Sequence, residues 1–285
     1  INNFCTSVAS NEAACNICHV GYGWKDDKFD FKSEVNVDCL VCHDTTGNYR
    51  KQAGMAGNVV TKAMEFPPGS GIIVKPIDLK KIAQAVAKTS RDNCGACHFF
   101  GGGGDGVKHG DMDSSLASPD KALDVHMDAT GLNFACATCH MTEGHQVPGS
   151  RYAPTAQDMG DAHVRGKAYT TNPTTCQACH GQAPHKKTAK LNDHTDKVAC
   201  QACHIPKYAR GGVATKMSWD WSTAGKMAPD GKPLIKKDTK GHVIYTAAKG
   251  DFVLGENVVP DYLWFNGKVR YTLRSDPVEK SAYTV

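Results

Sequence analysis

One pattern, C-x-x-C-H, contains 12 of the 13 cysteines in this chain of 285 residues. It occurs six times, and each copy places two cysteines three positions apart with a histidine directly after the second. The cysteines are Cys15 and Cys18, Cys39 and Cys42, Cys94 and Cys97, Cys136 and Cys139, Cys176 and Cys179, and Cys200 and Cys203. The histidines are His19, His43, His98, His140, His180 and His204. Six copies that absorb nearly every cysteine argue strongly against a disulfide framework or zinc clips.

This pattern is typical of covalent haem attachment. Two thiols at this spacing reach the two vinyl groups of one haem, and the adjacent histidine binds the iron as its proximal ligand. The sequence therefore predicts six covalently attached haem c groups. We expect these groups, rather than a large apolar side-chain core, to fill the centre of the protein.

Attachment of this kind belongs outside the cytoplasm, so we expect a periplasmic or extracellular bacterial protein. The opening residues, INNFCTSVAS, contain no methionine, basic region or apolar run, which indicates that any signal segment has been removed or is not included. No stretch approaches the roughly 18 to 20 apolar residues of a membrane span. We therefore expect no membrane span, and a separate partner, a donor cytochrome or a quinol dehydrogenase, to deliver the electrons.

The formal net charge of +4 gives no reason to expect a nucleic-acid partner. Each ferric haem with two ionised propionates adds about -1, so six haems would bring the loaded chain to about -2, because the charge of bound groups has to be counted. We expect the lysines and arginines to pair with propionates or to face solvent.

The fold class expected from the sequence is mainly α with little regular secondary structure, as a multihaem cytochrome c cluster. The motifs are 24 to 55 residues apart, which is too irregular for a solenoid repeat. Leu79, Ile82, Ala83 and Val86 have helical spacing and predict a helix before the third motif. We expect one domain over 1–285, with a haem-binding core at 1–210 and a haem-free cap at 211–285. Within that cap, 242–247, 251–259 and 268–274 are patterned as short strands.

Seven histidines lie outside the motifs and are candidate distal ligands. Six haems need at most six such ligands, so the count permits histidine on both sides of every iron. Residues 44–93 contain no histidine, which predicts that the first two haems take distal ligands from far along the chain. We expect His242 to be a surface residue and the other six to bind iron. Those six are His109, His126, His145, His163, His185 and His194.

Several segments between the motifs resemble the octahaem tetrathionate reductase family of c-type cytochromes. The matching segments are INNFC, GYGWKDDKFDF, NVDCLVCHDTTGNY, CHFFGGGGDGVKHGDMDSSL, LDVHMDATGLNFACATCH and DYLWFNGKVRYTL. The family is related to pentahaem nitrite reductase and hydroxylamine oxidoreductase. It carries eight haems and this chain has six motifs, so the chain is either part of a longer protein with two further haems or a shortened relative.

The resemblance implies a periplasmic reductase with one iron that has a distal lysine at the active site. All six motifs end in histidine, so this lysine must lie outside them, and Lys108 in the glycine-rich segment 99–111 is the candidate. Lys108 and His109 would then bind two different irons. The alternative is that only His109 binds iron and Lys108 pairs with a propionate.

Cys5 is the cysteine outside the motifs, and Asn2 lies close to it in the sequence. In a reductase of sulfur oxyanions, Cys5 could line the distal pocket of the Cys15 haem near Asn2 and exchange with the S–S bond of tetrathionate as a thiolate. It could equally form a disulfide or a thioether with a segment before residue 1.

Two functions therefore stay open at the level of the sequence. The first is reduction of a small oxyanion substrate, either tetrathionate or, alternatively, nitrite or hydroxylamine. The second is a non-catalytic electron conduit, possibly polymeric, in which every iron has two histidines.

Overall fold

The computed structural model describes residues 12–99, 105–106, 112–141, 145, 147, 163–164, 167–168 and 174–264. The α-helices in these residues are α1 Glu12–Cys15, α2 Cys39–His43, α3 Leu79–Gln84, α4 Arg91–His98, α5 Cys136–Cys139, α6 Cys176–His180 and α7 Cys200–His204. The strands are β1 Met64–Glu65, β2 Ile73–Val74, β3 His163–Val164, β4 Lys167–Ala168, β5 Thr215–Asp220, β6 Ile235–Lys237, β7 Val243–Thr246 and β8 Gly250–Gly255. Single 3₁₀ turns cover Glu34–Asn36, Ser114–Ala117, Ala189–His194 and Trp221–Thr223.

Four helices, α2, α4, α6 and α7, contain a complete motif, whereas α1 ends at Cys15 and α5 ends at Cys139. Helical geometry places residues i, i+3 and i+4 on one face, so in these four motifs both thiols and the imidazole share a face. Helix α4 begins with a capping box in which Ser90 and Asn93 each bond the other's backbone. At α6, the Thr175 hydroxyl accepts a hydrogen bond from the Ala178 N–H. Helices of four to eight residues are not stable alone in water, so their contacts must hold them.

The helix predicted before the third motif forms, but it is shorter than its pattern suggests. It begins after Asp78, whose carboxylate accepts the Lys81 N–H at 3.0 Å, and it buries Ile82 almost completely. It ends at Gln84, so the prediction that Val86 continues the helical face is wrong. Val86 instead pairs with Asp44 in an antiparallel bridge beside α2. The gain from this contact outweighs the helical propensity of the last turn.

The histidine-free stretch folds back over the first motif. The backbone N–H groups of Gly54 and Ala56 both donate to the Ala13 carbonyl at 3.2 Å. Gly57 has a φ of +82°, and a Cβ at this position would lie 2.7 Å from the Gly21 carbonyl oxygen. Only glycine permits both this conformation and this close approach. Residues 54–57 therefore connect α1 with the segment after the first motif.

The C-terminal part of the described chain is a four-stranded antiparallel sheet in the order β5-β8-β7-β6. The strands predicted at 242–247 and 251–259 correspond to β7 and β8, whereas 268–274 lies outside the described residues. β5 and β6 were missed, because TKMSWD and IKK are short and mostly exposed and so lack an alternating apolar pattern. The low content of regular structure agrees with the expected fold class.

Candidate haem-attachment and electron-transfer site

The motif cysteines are available for attachment wherever the structure describes their side chains. Eleven of the twelve are free thiols, half-buried or exposed, and the Cys15 side chain lies outside the description. The apolar core around them is small. In the described part of the chain the buried apolar residues are Ala56, Val60, Ile82, Phe99, Ala214 and Tyr245. Such a sparse core fits a protein whose centre is completed by large apolar groups.

Thiols of different motifs contact one another across the N-terminal half. A hydrogen bond from Cys97 lowers the pKa of the Cys18 thiol to about 7. The same hydrogen bond, together with burial, raises the pKa of the Cys97 thiol. A hydrogen bond from Cys136 likewise lowers the pKa of Cys94 to about 6. Burial and then the charge of Cys94 raise the pKa of Cys42. These pKa values apply to free thiols, since a sulfur joined to haem no longer titrates. The third motif therefore lies against the first, second and fourth.

The same arrangement continues to the last motif. Burial and then the charge of Cys179 raise the pKa of Cys139. Burial, the charge of Cys200 and a hydrogen bond with that thiol raise the pKa of Cys176. Since every motif has at least one thiol near a thiol of another, macrocycles attached at these positions would have neighbouring edges.

Two motif imidazoles face histidines that lie outside the motifs. The ring centroids of His180 and His126 are 6.2 Å apart, and those of His204 and His185 are 5.8 Å apart. Two imidazoles that held one iron between them would have centroids about 6 Å apart, because a metal–nitrogen bond is about 2 Å and the nitrogen lies about 1 Å from the ring centre. The two pairs agree with this separation, and their rings are inclined to each other by 67° and 13°.

Hydrogen bonds orient two of the imidazoles through their Nδ1 atoms. The Nδ1 of His43 lies 2.8 Å from the Ala87 carbonyl oxygen, and the Nδ1 of His185 lies 3.1 Å from Oδ1 of Asn192. With the proton on Nδ1 donated to oxygen, Nε2 keeps the lone pair that binds a metal. Ala87 and Asn192 therefore hold these rings in the tautomer suited to iron.

The first motif histidine lies among aromatic rings. The His19 centroid is 5.3 Å from Trp24, 6.0 Å from Phe29 and 5.7 Å from Phe31. Phe31 contacts both other rings and is nonetheless 64% exposed. This aromatic cluster provides an apolar surface beside the first attachment site, of the kind that the face of a haem can cover.

A buried ionic network near the first motif was missed in the sequence. Lys51 Nζ, with only 3% of its side chain exposed, donates to the carbonyls of His19 and Gly21 at 2.6 Å and lies 3.4 Å from the Asp38 carboxylate. The Tyr49 hydroxyl donates to the same carboxylate at 2.5 Å. Burial lowers the pKa of Lys51 although Asp38 opposes this effect. No periodic pattern distinguishes such a lysine from a solvated one.

Several sequence candidates lie where the structure describes nothing or only the backbone. Asn2, Cys5, Lys108 and His109 are outside the described residues, and His163 is described only as backbone in β3. The other candidate positions are described. His145 has a left-handed φ of +60°, and His194 ends the 3₁₀ turn Ala189–His194. His242, expected at the surface, places its Nδ1 3.1 Å from the Asp238 carboxylate.

The described side chains do not form a site for a bare metal ion. Nowhere among them do three His, Cys, Asp or Glu side chains lie close enough together to bind one. Paired imidazoles and paired thiols instead fit an iron whose other four ligands come from a macrocycle. In the helices that the structure describes, none is long and apolar enough to cross a membrane.

Comparison with known proteins places these features in a wider class. A family model described as bacterial cytochrome c matches residues 216–285, the segment after the last motif. An uncharacterized protein of Archaeoglobus fulgidus is 30% identical over 142 residues, which cover 46% of this chain and 45% of that protein.

A solved structure matches along nearly the whole chain. It is the crystal structure of an octaheme cytochrome c from Shewanella oneidensis, which is 44% identical with a TM-score of 0.70 over 99% of this chain and 56% of that one. The chain thus spans about half the length of these relatives. The match supports the resemblance to octahaem cytochromes, whereas the narrower resemblance to tetrathionate reductase stays a prediction. The six attachment motifs and these matches together support a multihaem c-type cytochrome, a class of protein that carries electrons.

Proposed function

We propose that this chain carries six covalently attached haems and forms the main part of a periplasmic reductase. The observation that carries the proposal is the proximity of thiols of different motifs from the first to the sixth, three of these pairs being hydrogen-bonded. When bound at these positions, the haems supply one-electron transfer between closely spaced irons. The protein provides thioether bonds at the cysteines and proximal imidazoles at the motif histidines.

His126 and His185 are the distal ligands opposite His180 and His204 in this proposal. Their centroid separations support the assignment, and the bond between His185 and Asn192 fixes the ring in the required tautomer. His109, His145, His163 and His194 are the candidates for the remaining irons. His185→Ala should convert one iron from a low-spin to a high-spin spectrum, while His242→Ala, the matched control, should leave all iron spectra unchanged.

The reaction proposed for the active site is tetrathionate reduction, with nitrite and hydroxylamine as further substrates. Two electrons from the donor break the central S–S bond of tetrathionate and yield two thiosulfate ions, with no proton consumed. Lys108 would bind the iron as the neutral amine. When free it would take up a proton from solvent, and the resulting ammonium would neutralise the anionic substrate or, for nitrite or hydroxylamine, donate that proton. Cys5 and Asn2 would line the same pocket.

Lys108→Ala tests the site directly. We expect one iron to change its EPR signal from lysine–histidine ligation to a high-spin form while the other irons keep theirs. Tetrathionate reduction by reduced viologen should fall at least about 100-fold, which is the range for loss of a group that stabilises developing charge. Lys121→Ala removes an exposed lysine and serves as the control. Unchanged spectra and activity in Lys108→Ala would overturn the active-site assignment.

The alternative is an electron conduit without catalysis, in which every iron has two histidine ligands. The pairs His126–His180 and His185–His204 favour such ligation for the irons of the fifth and sixth motifs. EPR of the wild-type protein separates the two proposals. Uniform low-spin bis-histidine signals support the conduit, whereas one lysine–histidine or high-spin iron supports the reductase. In either case the electrons would come from a donor cytochrome or a quinol dehydrogenase.

A further inference from the structure

Lys216, near the start of β5, is a lysine whose side chain is largely buried. Only 6% of the residue is exposed. Its Nζ has no carboxylate, carbonyl or hydroxyl partner among the residues that the structure describes. Lysine is almost never buried to this extent without a partner, because an unpaired ammonium loses its hydration without compensation. Lys51, the comparable lysine near the first motif, is paired with Asp38 and two carbonyls.

Two aromatic rings hold the Lys216 ammonium in place. Its Nζ lies 3.6 Å from the centroid of Phe252 and 5.8 Å from that of Trp219. Trp219 and Phe252 are directly opposite each other on β5 and β8, so they form one cross-strand surface under the cation. Ring faces stabilise a cation only partly, and they leave its remaining N–H groups free to bind an anion.

The backbone of Lys216 contacts residues 105–106, which follow the third motif. The backbone N–H of Lys216 donates to the Gly106 carbonyl at 2.9 Å, and a Cβ on Gly106 would lie only 2.7 Å from the Ala214 carbonyl oxygen. This glycine is required because the loop approaches β5 so closely and has a φ of +59°. Lys216 is thereby fixed beside a segment connected to α4 and its haem-attachment residues.

The carboxylates next to Gly106 and at the end of β8 in the sequence are bonded to other groups. Asp105 accepts hydrogen bonds from the N–H and the hydroxyl of Ser114 at 2.9 and 2.5 Å. Glu256, just after β8, is bonded to Lys240 at 2.6 Å. Burial, followed by the positive charge of Lys249, lowers the pKa of Lys216. The local field therefore lacks a negative charge opposite this ammonium.

We infer that the ammonium of Lys216 binds an oxygen anion, a carboxylate or a small oxyanion, beside the rings of Trp219 and Phe252. Two sources share this chemistry: a propionate of an attached haem, and a free sulfur or nitrogen oxyanion. The inference depends on the proposed function only in assuming that the loaded protein carries haem. A charge-assisted hydrogen bond to the ammonium would compensate the cost of its burial.

The test compares the haem-loaded wild type with Lys216→Met by two measurements that need no turnover. Redox potentiometry in oxyanion-free buffer gives the midpoint potential of each haem, and calorimetry with sodium sulfate gives oxyanion affinity. If the partner is a propionate, one midpoint potential should fall and sulfate affinity should stay unchanged. If the partner is a free oxyanion, the affinity for sulfate should fall by about tenfold or more, because a charge-assisted hydrogen bond is lost. The midpoint potentials of the haems should then stay unchanged.

Lys226→Met is the matched control, because Lys226 also lies over an aromatic ring, 5.3 Å from the Tyr245 centroid, but is exposed. It should change neither measurement, and Lys216→Arg should retain both wild-type values. If Lys216→Met does not load haem, Lys216→Gln takes its place. The inference is overturned if a loaded, folded variant without the charge matches wild type in both measurements. A wild type that reduces no tetrathionate would refute the proposed reductase and leave this result unaffected.

Discussion

The segment that holds the first three motifs, residues 12–99, and the sheet of β5 to β8 are stabilised in different ways. The first has short helices joined by side chains that bond distant backbone groups. Buried polar residues are prominent in it, namely Asn16, Asp38, Asp44 and Arg91. The sheet has continuous backbone ladders and a fully buried Tyr245.

The difference indicates which region depends on haem. Polar networks fix the positions of groups but add little net stability, because each hydrogen bond replaces one to water. The motif region buries only four apolar residues, Ala56, Val60, Ile82 and Phe99, which is too few to offset the entropy of ordering a segment of this length. The sheet has a hydrogen-bonded framework of its own, and we expect it to be the more independent unit.

The largest expected effect follows from preventing haem attachment. In a host that cannot attach haem, residues 12–99 should lose nearly all of their slow amide exchange, because their core is incomplete. Amides of β5, β7 and β8 should keep measurable protection. Hydrogen exchange followed by mass spectrometry checks both regions in one sample, with the loaded protein as control. Simultaneous loss of protection in both would show that the sheet also requires haem.

Lys51→Met should have the second largest effect on stability, and this effect should be confined to the motif region. It leaves the Asp38 carboxylate buried without its cation, and breaking a buried pair in this way costs about 3–5 kcal/mol. Denaturation monitored by the haem spectrum should show this loss, while sheet amides keep their wild-type exchange. Lys62→Met, at an exposed position, should differ little from wild type. An unchanged midpoint of unfolding in Lys51→Met would mean that the pair contributes nothing net.

Tyr245→Phe should weaken the sheet without altering the haems. The Tyr245 hydroxyl donates to the Thr223 carbonyl and accepts the Lys226 N–H, each at 3.0 Å. Loss of these bonds leaves two backbone groups without partners and should cost about 1–3 kcal/mol. Exchange of β7 and β8 amides should become faster, with visible spectra unchanged. A spectral change would instead connect this side chain to the haem-binding region.

Local and long-range features differ in how well they could be predicted from the sequence. The six attachment sites follow from spacing alone, because C-x-x-C-H encodes its chemistry locally. Partners across the chain do not: His180 faces His126, which is 54 residues earlier, and no local pattern selects it over the other candidates. Likewise α3 ends early because Val86 pairs with Asp44, a contact between distant segments.

Buried charges were the least predictable features. Lys51 and Lys216 differ from solvated lysines only through residues brought near them by the fold, such as Asp38 and Phe252. The sheet was half predicted because β7 and β8 are apolar enough to be recognised, whereas β5 has an irregular register between Lys216 and Ser218. Such an irregularity disrupts the period-two pattern.

The smallest expected effect concerns Asp220, the N-cap residue of the 3₁₀ turn Trp221–Thr223 in the sheet region. Hydrogen bonds from the hydroxyl and N–H of Ser222 lower the pKa of Asp220 below its ordinary value of 3.8. Because the pKa is lower in the folded chain, the stabilisation is present above pH 3.8 and is lost as the pH falls through the folded pKa. Ser222→Ala should therefore raise the Asp220 pKa towards 3.8 and reduce this acid sensitivity. Carboxyl NMR titration measures the shift, and Ser218→Ala, at an exposed position on β5, should leave the pKa unchanged. If Ser222→Ala also leaves it unchanged, the N–H alone accounts for the lowered pKa.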